Sequence, residues 1–283
     1  GSDAVTAANL QSGLVSKSAA INTQTPDMGN VVNDVSVNKQ FKLDNLGTLD
    51  TRVGFYHMRQ NVVQTWSTSE RVMQAGNDKA LIDLFDASGN ALTNGGLTGY
   101  NNQWGCCARD VDARFTTDAP YLSLNLAAGP VDLEAGVRRE SFRAFGHYSG
   151  PTKLAAFDVN NDGVISAAEN NIFVANIANP GLVDYKISYT NYTFGANYRV
   201  TNDLSAFVRH SKGNRAIADR LLFSPNIDAA TGLLSAGGGE TAALAPVKQT
   251  EVGAKLRGKV GSGTYGLAAT LFRSTNEEFD FDQ

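Results

Sequence analysis

One stretch of the chain carries the spacing of a calcium loop. Asp158, Asn160 and Asp162 offer side-chain oxygens at alternate positions, and Gly163 allows the sharp turn that follows them. Val164 then supplies a main-chain carbonyl, Ser166 a hydroxyl acting directly or through water, and Glu169 a carboxylate that can bind with both oxygens. A hard cation takes about six to eight oxygen ligands, and this spacing wraps them around one point, so Ca²⁺ is the expected cofactor. An Asn- and Asp-rich solvent loop is the competing explanation, because these residues favour turns without any metal. The flanks do not match a calcium sensor with paired helices. Pro151–Ala156 is too short for an entering helix, while Ala167–Ala178 reads as a single exiting one. The expected role is therefore structural: calcium orders a loop.

The remaining reactive residues are sparse. Cys106 and Cys107 are adjacent in Trp104-Gly105-Cys106-Cys107, which fits neither a zinc site nor a disulfide scaffold. They either close a strained vicinal disulfide or stay unbonded. The histidines are His57, His147 and His210, and no G-x-S-x-G element accompanies them. His147, beside Tyr148 and Ser149, is the one candidate for barrel-enzyme chemistry; lumen or interface roles suit all three better. Gly261-Ser262-Gly263-Thr264-Tyr265-Gly266 matches the dinucleotide pattern G-x-G-x-x-G, yet an alternating strand follows it where the pattern needs a helix. These glycines are expected to make a tight turn. No catalytic residue is assigned, and the chain is read as a non-enzyme.

What must position the calcium loop is a set of long alternating segments. The chain has 283 residues, 42% apolar and 18% charged, with 24 Lys and Arg against 28 Asp and Glu. This excludes disorder and disfavours a nucleic-acid surface, and no run of about 18 apolar residues marks a helical span. In one segment Tyr192, Phe194, Ala196, Tyr198 and Val200 alternate with Thr193, Gly195, Asn197 and Arg199. After the turn at Thr201-Asn202-Asp203 the pattern continues through Leu204, Ala206 and Val208, with Phe207 on the polar side. Three more pairs share this layout: 31–43 with 48–67, 111–126 with 131–148, and 247–260 with 263–281. Glu134, Arg138, Glu251, Lys255 and Arg257 fall on one side of their strands.

The connections between pairs, at 68–110, 149–181 and 218–246, are long. Short turns at one end of a sheet and long loops at the other distinguish an outer-membrane barrel. Tyrosines and phenylalanines near segment ends, including Tyr185, Tyr189, Tyr192, Tyr198, Phe207, Tyr265 and Phe272, would form its aromatic girdle. The expected fold is all-β, an antiparallel transmembrane β-barrel segment of about eight strands in four hairpins. Residues 1–30 are read as an extracellular loop or tail, and 31–283 as a partial barrel.

The stretch Tyr189-Thr190-Asn191-Tyr192-Thr193-Phe194-Gly195-Ala196-Asn197-Tyr198-Arg199-Val200 is followed by Asp203-Leu204-Ser205-Ala206-Phe207-Val208-Arg209-His210-Ser211. Together with Val247–Lys255 and Tyr265–Ser274, it resembles the barrel of TonB-dependent receptors. The resemblance is most specific over 185–281. It implies localisation in the bacterial outer membrane, contact with outer-membrane lipid, and energised import of a bulky nutrient. It also implies TonB as partner, acting through a plug domain not in this chain, and the company of further barrel strands or a partner chain. A plugged barrel has about 22 strands, so this chain is expected to be a portion of one. Trp66, Tyr100 and Trp104 are candidate stacking residues for ligand in the long loops; Trp104 could equally pack beside the cysteines. Two alternatives remain: a calcium-stabilised surface β-protein binding carbohydrate or protein, and a self-contained eight-stranded barrel.

Overall fold

The computed structural model describes residues 15–75, 79–100, 108–158 and 162–277. Long strands dominate: β1 (Val15–Asp27), β2 (Asn30–Leu43), β3 (Gly47–Gln74), β4 (Leu97–Tyr100), β5 (Arg109–Ala128) and β6 (Val131–Ser149). A small hairpin of β7 (Pro151–Ala156) and β8 (Asn170–Ala175) follows, then β9 (Gly181–Arg199), β10 (Leu204–Ala216), β11 (Leu244–Val260) and β12 (Gly263–Asn276). All but the β7–β8 hairpin form one antiparallel sheet in the order β1-β3-β5-β6-β9-β10-β11-β12, with β2 and β4 also paired to β3. The four expected hairpins are all present.

Their turns form for local reasons. In the first, Gly47 sits at φ +114 with the Ala127 carbonyl against the place a Cβ would occupy, so only glycine fits. In the third, the Thr201 hydroxyl accepts from the backbone N–H groups of Asp203 and Leu204 at 3.2 and 3.0 Å. Gly261, at φ +61, opens the last turn, which confirms a turn where the dinucleotide pattern stood.

Two boundaries differ from expectation. Val15–Asp27, read as loop or tail, is strand β1, and it pairs with the far half of β3 while β2 pairs with the near half. The 28-residue β3 thus spans two shorter partners, and the chain jogs between them at Met28-Gly29, where the Asn61 N–H donates to the Gly29 carbonyl at 2.9 Å. The expected helix from Ala167 is a single 3₁₀ turn over Ala167–Glu169 that passes directly into β8. Ile172, Phe173 and Val174 favour extended backbone. Among the described residues nothing pairs β12 with β1 or β2, so the sheet does not close on itself as a self-contained eight-stranded barrel would.

The two faces of the sheet exchange character halfway along the strands. In β5, Val111, Ala113 and Phe115 are buried on one face. On the opposite face the same half carries Asp112, Arg114 and Asp118, and beyond Pro120 that face becomes Leu122, Leu124 and Leu126. The paired strands repeat the change in register: Val53 and Phe55 on β3, Leu133 and Val137 on β6, and Phe194 and Tyr198 on β9 share the leucine face in the half nearest the short turns. Val35, Val37, Leu267 and Leu271 complete this band at 69, 72, 62 and 78% exposure.

The core lies at the other end, on the other face. The segment 217–243, with short helices α1 (Asp219–Leu222) and α2 (Gly239–Ala242), packs Ile217, Leu221, Leu222 and Ile227 onto Val111, Phe115, Phe142, Val183, Tyr185 and Ile187. Phe115 and Phe142 stack at 5.9 Å between centroids. We call the face this loop covers the inner face.

Candidate functional site

An apolar band open to the surroundings on one face, nearest the short turns, has a direct physical meaning. Burying such residues favours folding by roughly 25 cal/mol per Å², and here they stay exposed on consecutive strands, so their natural surroundings are lipid. On β5 the band spans Pro120 to Ala128, which at ~3.3 Å per residue and a ~40° tilt rises about 20 Å. That is close to the apolar height of an outer-membrane barrel.

The inner face opposite the band is polar and tightly bonded. The Tyr121 hydroxyl donates to Asp34 at 2.8 Å, and Arg52 donates to Ser36 at 3.1 Å. Arg209 pairs with Glu134 at 3.1 Å, and Arg138 pairs with Glu140 at 3.2 Å while lying over the Tyr56 ring. Glu140 also accepts from Asn191 at 2.6 Å and from the Tyr189 hydroxyl at 3.0 Å. The expectation that Glu134, Arg138, Glu251, Lys255 and Arg257 share one side is met, and Phe207 lies there too, under Lys255. A concavity of about 610 Å³ opens on this wall among Asp34, Arg52, Tyr121, Arg138, Asn191 and Gln249. It presents paired charges, hydroxyls and amides, with no nucleophile activated by a base.

The aromatic girdle is only partly where the sequence placed it. Tyr192, Tyr198 and Tyr265 lie on the banded face, and Phe41 and Phe55 join them. Tyr185 and Tyr189 are buried on the inner face, and Phe207 and Phe272 also point inward. Period two fixes which strand neighbours share a face, but not which face meets lipid at a given height.

Of the stacking candidates, Trp66 is already engaged. The Arg109 guanidinium lies 4.3 Å from its ring and 4.4 Å from that of Phe223, sandwiched between them. Tyr100 ends β4, whose backbone pairs with β3 at Ser69. Trp104, Cys106, Cys107 and Asn160 lie outside the described residues.

The described residues of the calcium-spaced stretch, Asp158 and Asp162–Glu169, lie between β7 and β8. The Asp158 carboxylate accepts from the backbone N–H of Asp162 at 3.2 Å and of Gly163 at 2.8 Å, with Gly163 at φ +83. Asp162 in turn accepts from the Val164 N–H at 2.8 Å. Glu169, 1% exposed, turns back to accept from the Ser166 N–H at 2.9 Å and hydroxyl at 2.7 Å, an N-terminal capping box. Among the described residues, no three His, Cys, Asp or Glu side chains converge as a metal-holding group. The Glu169 carboxylate is folded onto its own cap. A second loop is shaped by Asp86, whose carboxyl is held below the usual carboxylate range by hydrogen bonds, foremost from the Asn90 side chain.

The inner apolar core was missed by sequence reading. Its signal is present in β5: apolar residues fall at 111, 113 and 115 and then, after Pro120, at 122, 124 and 126, a change of phase within one unbroken strand.

The family model described as TonB dependent receptor-like, beta-barrel, matches residues 4–279. No curated protein matches the chain. Among solved structures it is similar to the ferric yersiniabactin uptake receptor FyuA from Yersinia pestis, at 12% identity and a TM-score of 0.39, over 93% of this chain and 36% of that one. It is also similar to the ferric-catecholate import receptor Fiu from E. coli K12, at 14% identity and a TM-score of 0.42, over 93% of this chain and 40% of that one. The chain thus spans less than half the length of either receptor. Its match to the family over almost its whole length establishes that this chain belongs to the TonB-dependent receptor β-barrel family, proteins of the bacterial outer membrane that are transporters and not enzymes.

Proposed function

We propose that these strands are one part of the wall of a receptor that imports a bulky nutrient across the outer membrane, energised by TonB through a plug domain. The observation that carries this reading is the inner face opposite the lipid band. Its paired charges, at Arg209–Glu134 and Arg138–Glu140, offer a hydrated or plug-facing wall and no catalytic group. Among the described residues no strand covers the outer edge of β12 or of β1 and β2, which leaves room for further strands. A water-soluble binding module is disfavoured, because Val35, Val37, Leu267 and Leu271 would then face water. The segment 217–243, packed over the inner face at the long-loop end, narrows the external entrance in this reading. The test is growth on a panel of iron chelates, corrinoids and oligosaccharides, comparing cells with and without the gene and with and without TonB. A nutrient used only when both are present supports the proposal; one used with the gene but without TonB overturns energised import.

Calcium belongs to the same proposal as a loop-ordering ion between β7 and β8. What supports it is the full ligand spacing of Asp158, Asn160, Asp162, Val164, Ser166 and Glu169, together with the inward-turned Asp158 carboxylate. Binding requires Glu169 to release Ser166 and swing to the ion. Calorimetric titration should show sub-millimolar binding that Asp158→Ala with Glu169→Gln abolishes. Absence of binding below the millimolar range, or unchanged binding in the double variant, refutes it.

A further inference from the structure

Strands β9 and β10 part at the upper edge of the lipid band. Their ladder runs from Arg199↔Ser205 to Tyr192↔Lys212 and stops there. Strand β10 nevertheless stays paired with β11 as far as Ala216↔Leu244, and the Ile217 N–H still donates to the Ala243 carbonyl at 2.9 Å. Within lipid every backbone group needs a protein partner, so a wall can fork only above that height.

Side chains and loop carbonyls hold the separated backbones. The Asn191 amide oxygen accepts from the Asn214 backbone N–H at 2.8 Å and from its side-chain amide at 3.0 Å. The Tyr189 hydroxyl accepts from the Ala216 N–H, and the Tyr185 hydroxyl donates to the Ile217 carbonyl at 3.4 Å. At the far end of β9 the Leu182 and Asp184 N–H groups donate to the carbonyls of Ala229 and Gly232, at 2.8 and 2.9 Å. Each contact takes the place of a strand-to-strand bond.

The sequence beyond the fork also fits the strand it leaves. Extending the lower register sets Ile217 opposite Ile187, Ala218 opposite Lys186 and Leu221 opposite Val183, with Ile217 and Leu221 still on the inner side. In the same register Arg220 comes opposite Asp184 on β9 and, through the β10–β11 pairing, opposite Glu240. As observed, the segment instead bends inward and buries Leu221 and Leu222 in the core.

We propose that the β9–β10 seam is a two-state joint. Zipping the ladder up to Leu222 raises the outer ends of β10 and β11 and lifts segment 217–243 off the inner face. That uncovers Phe115, Phe142 and Tyr185 and draws Phe223 away from Arg109 and Trp66. The structure holds the covered state. The switch is independent of what is transported.

The experiment uses the protein purified from outer membranes in nonionic detergent, carrying Cys106→Ser, Cys107→Ser and Trp104→Phe. In the covered state Lys186 is exposed on the outer face while Ala218 packs against the inner core. Zipped, their Cα atoms come to about 5.5 Å, within reach of a disulfide. On mild oxidation Lys186→Cys with Ala218→Cys should crosslink at least about tenfold faster than Leu182→Cys with Ala218→Cys, whose partners stay ~13 Å apart along the zipped strands. The crosslink should red-shift Trp66 emission, and reduction should reverse the shift. Gly181→Cys with Ala229→Cys reports the covered state, since a Cβ at Gly181 lies 3.1 Å from that of Ala229; its crosslink should leave the emission unchanged. A Lys186–Ala218 rate no higher than the control, or that crosslink without a spectral shift, overturns the joint. A red shift on crosslinking Gly181 to Ala229 overturns the covered state as the resting form.

Discussion

Placing an arginine at Leu124 tests the exchange of faces most directly. Leu124 lies midway between Pro120 and Ala128, so at ~3.3 Å per residue and a ~40° tilt it is about 10 Å below one edge of the lipid band and about 10 Å above the other. A guanidinium there cannot reach water without distorting the bilayer, and Leu124→Arg should cost ~2–4 kcal/mol. Two controls share the strand. Asn125→Arg points to the inner face between Asp50 and Glu134, and should fall within about 1 kcal/mol of the wild type. Thr116→Arg keeps the face of Leu124 but stands about 20 Å higher, beside the solvent-facing Arg59 and Arg143, and should also cost less than ~1 kcal/mol. Urea titration in lipid vesicles, followed by tryptophan fluorescence and by heat-modifiable gel mobility, gives all three values. A penalty at Asn125 equal to that at Leu124 would refute the assignment of faces. A penalty at Thr116 matching Leu124 would refute the change of character along the strand.

Two further outcomes follow from the inner core. Phe115→Ala removes a 1%-exposed ring stacked on Phe142 and should lower stability by ~3–5 kcal/mol in the same titration; a loss below 1 kcal/mol would mean the core is not packed there. Arg109→Ala frees the faces of Trp66 and Phe223 and should cost about 2 kcal/mol with a red-shifted Trp66 emission, read in a Trp104→Phe background. An unchanged spectrum would rule the sandwich out.

The hairpins were legible because each joins alternating strands through a turn with its own chemistry, as at Thr201-Asn202-Asp203 and Gly261-Ser262. Strand β1 was not, because VSKSAAINTQTPD has almost no apolar alternation; it forms by backbone pairing with a β3 that extends past β2. The ligand-like spacing from Asp158 to Glu169 is a property of the sequence itself, yet the element after it was misread. A capping box at Ser166 and Glu169 announces a helix that the β-branched Ile172 and Val174 then decline to continue. The segment 217–243 was read only as a long connection because its core-facing residues, among them Ile217, Leu221, Leu222, Ile227 and Ala242, follow neither a strand nor a sustained helix period. Tyr185 and Tyr189 were assigned to the girdle because they lie near a segment end, but they stand on the face of β9 opposite Tyr192 and Tyr198 and are buried in the inner core.

The exchange of faces also governs how the strands find their register. If β5 slipped by one residue against β3, Leu122, Leu124 and Leu126 would enter the polar inner wall, and Asp112, Arg114 and Asp118 would be driven into the aromatic core at the other end. A strand with one uniform apolar face can relieve a slip by shifting its whole length in the bilayer. In β5 a one-residue slip is penalised in both halves at once, so the two ends enforce the same register. Strand β5 states its alignment twice, in opposite phases, which makes misaligned pairings with its neighbours self-penalising while the sheet assembles at the membrane.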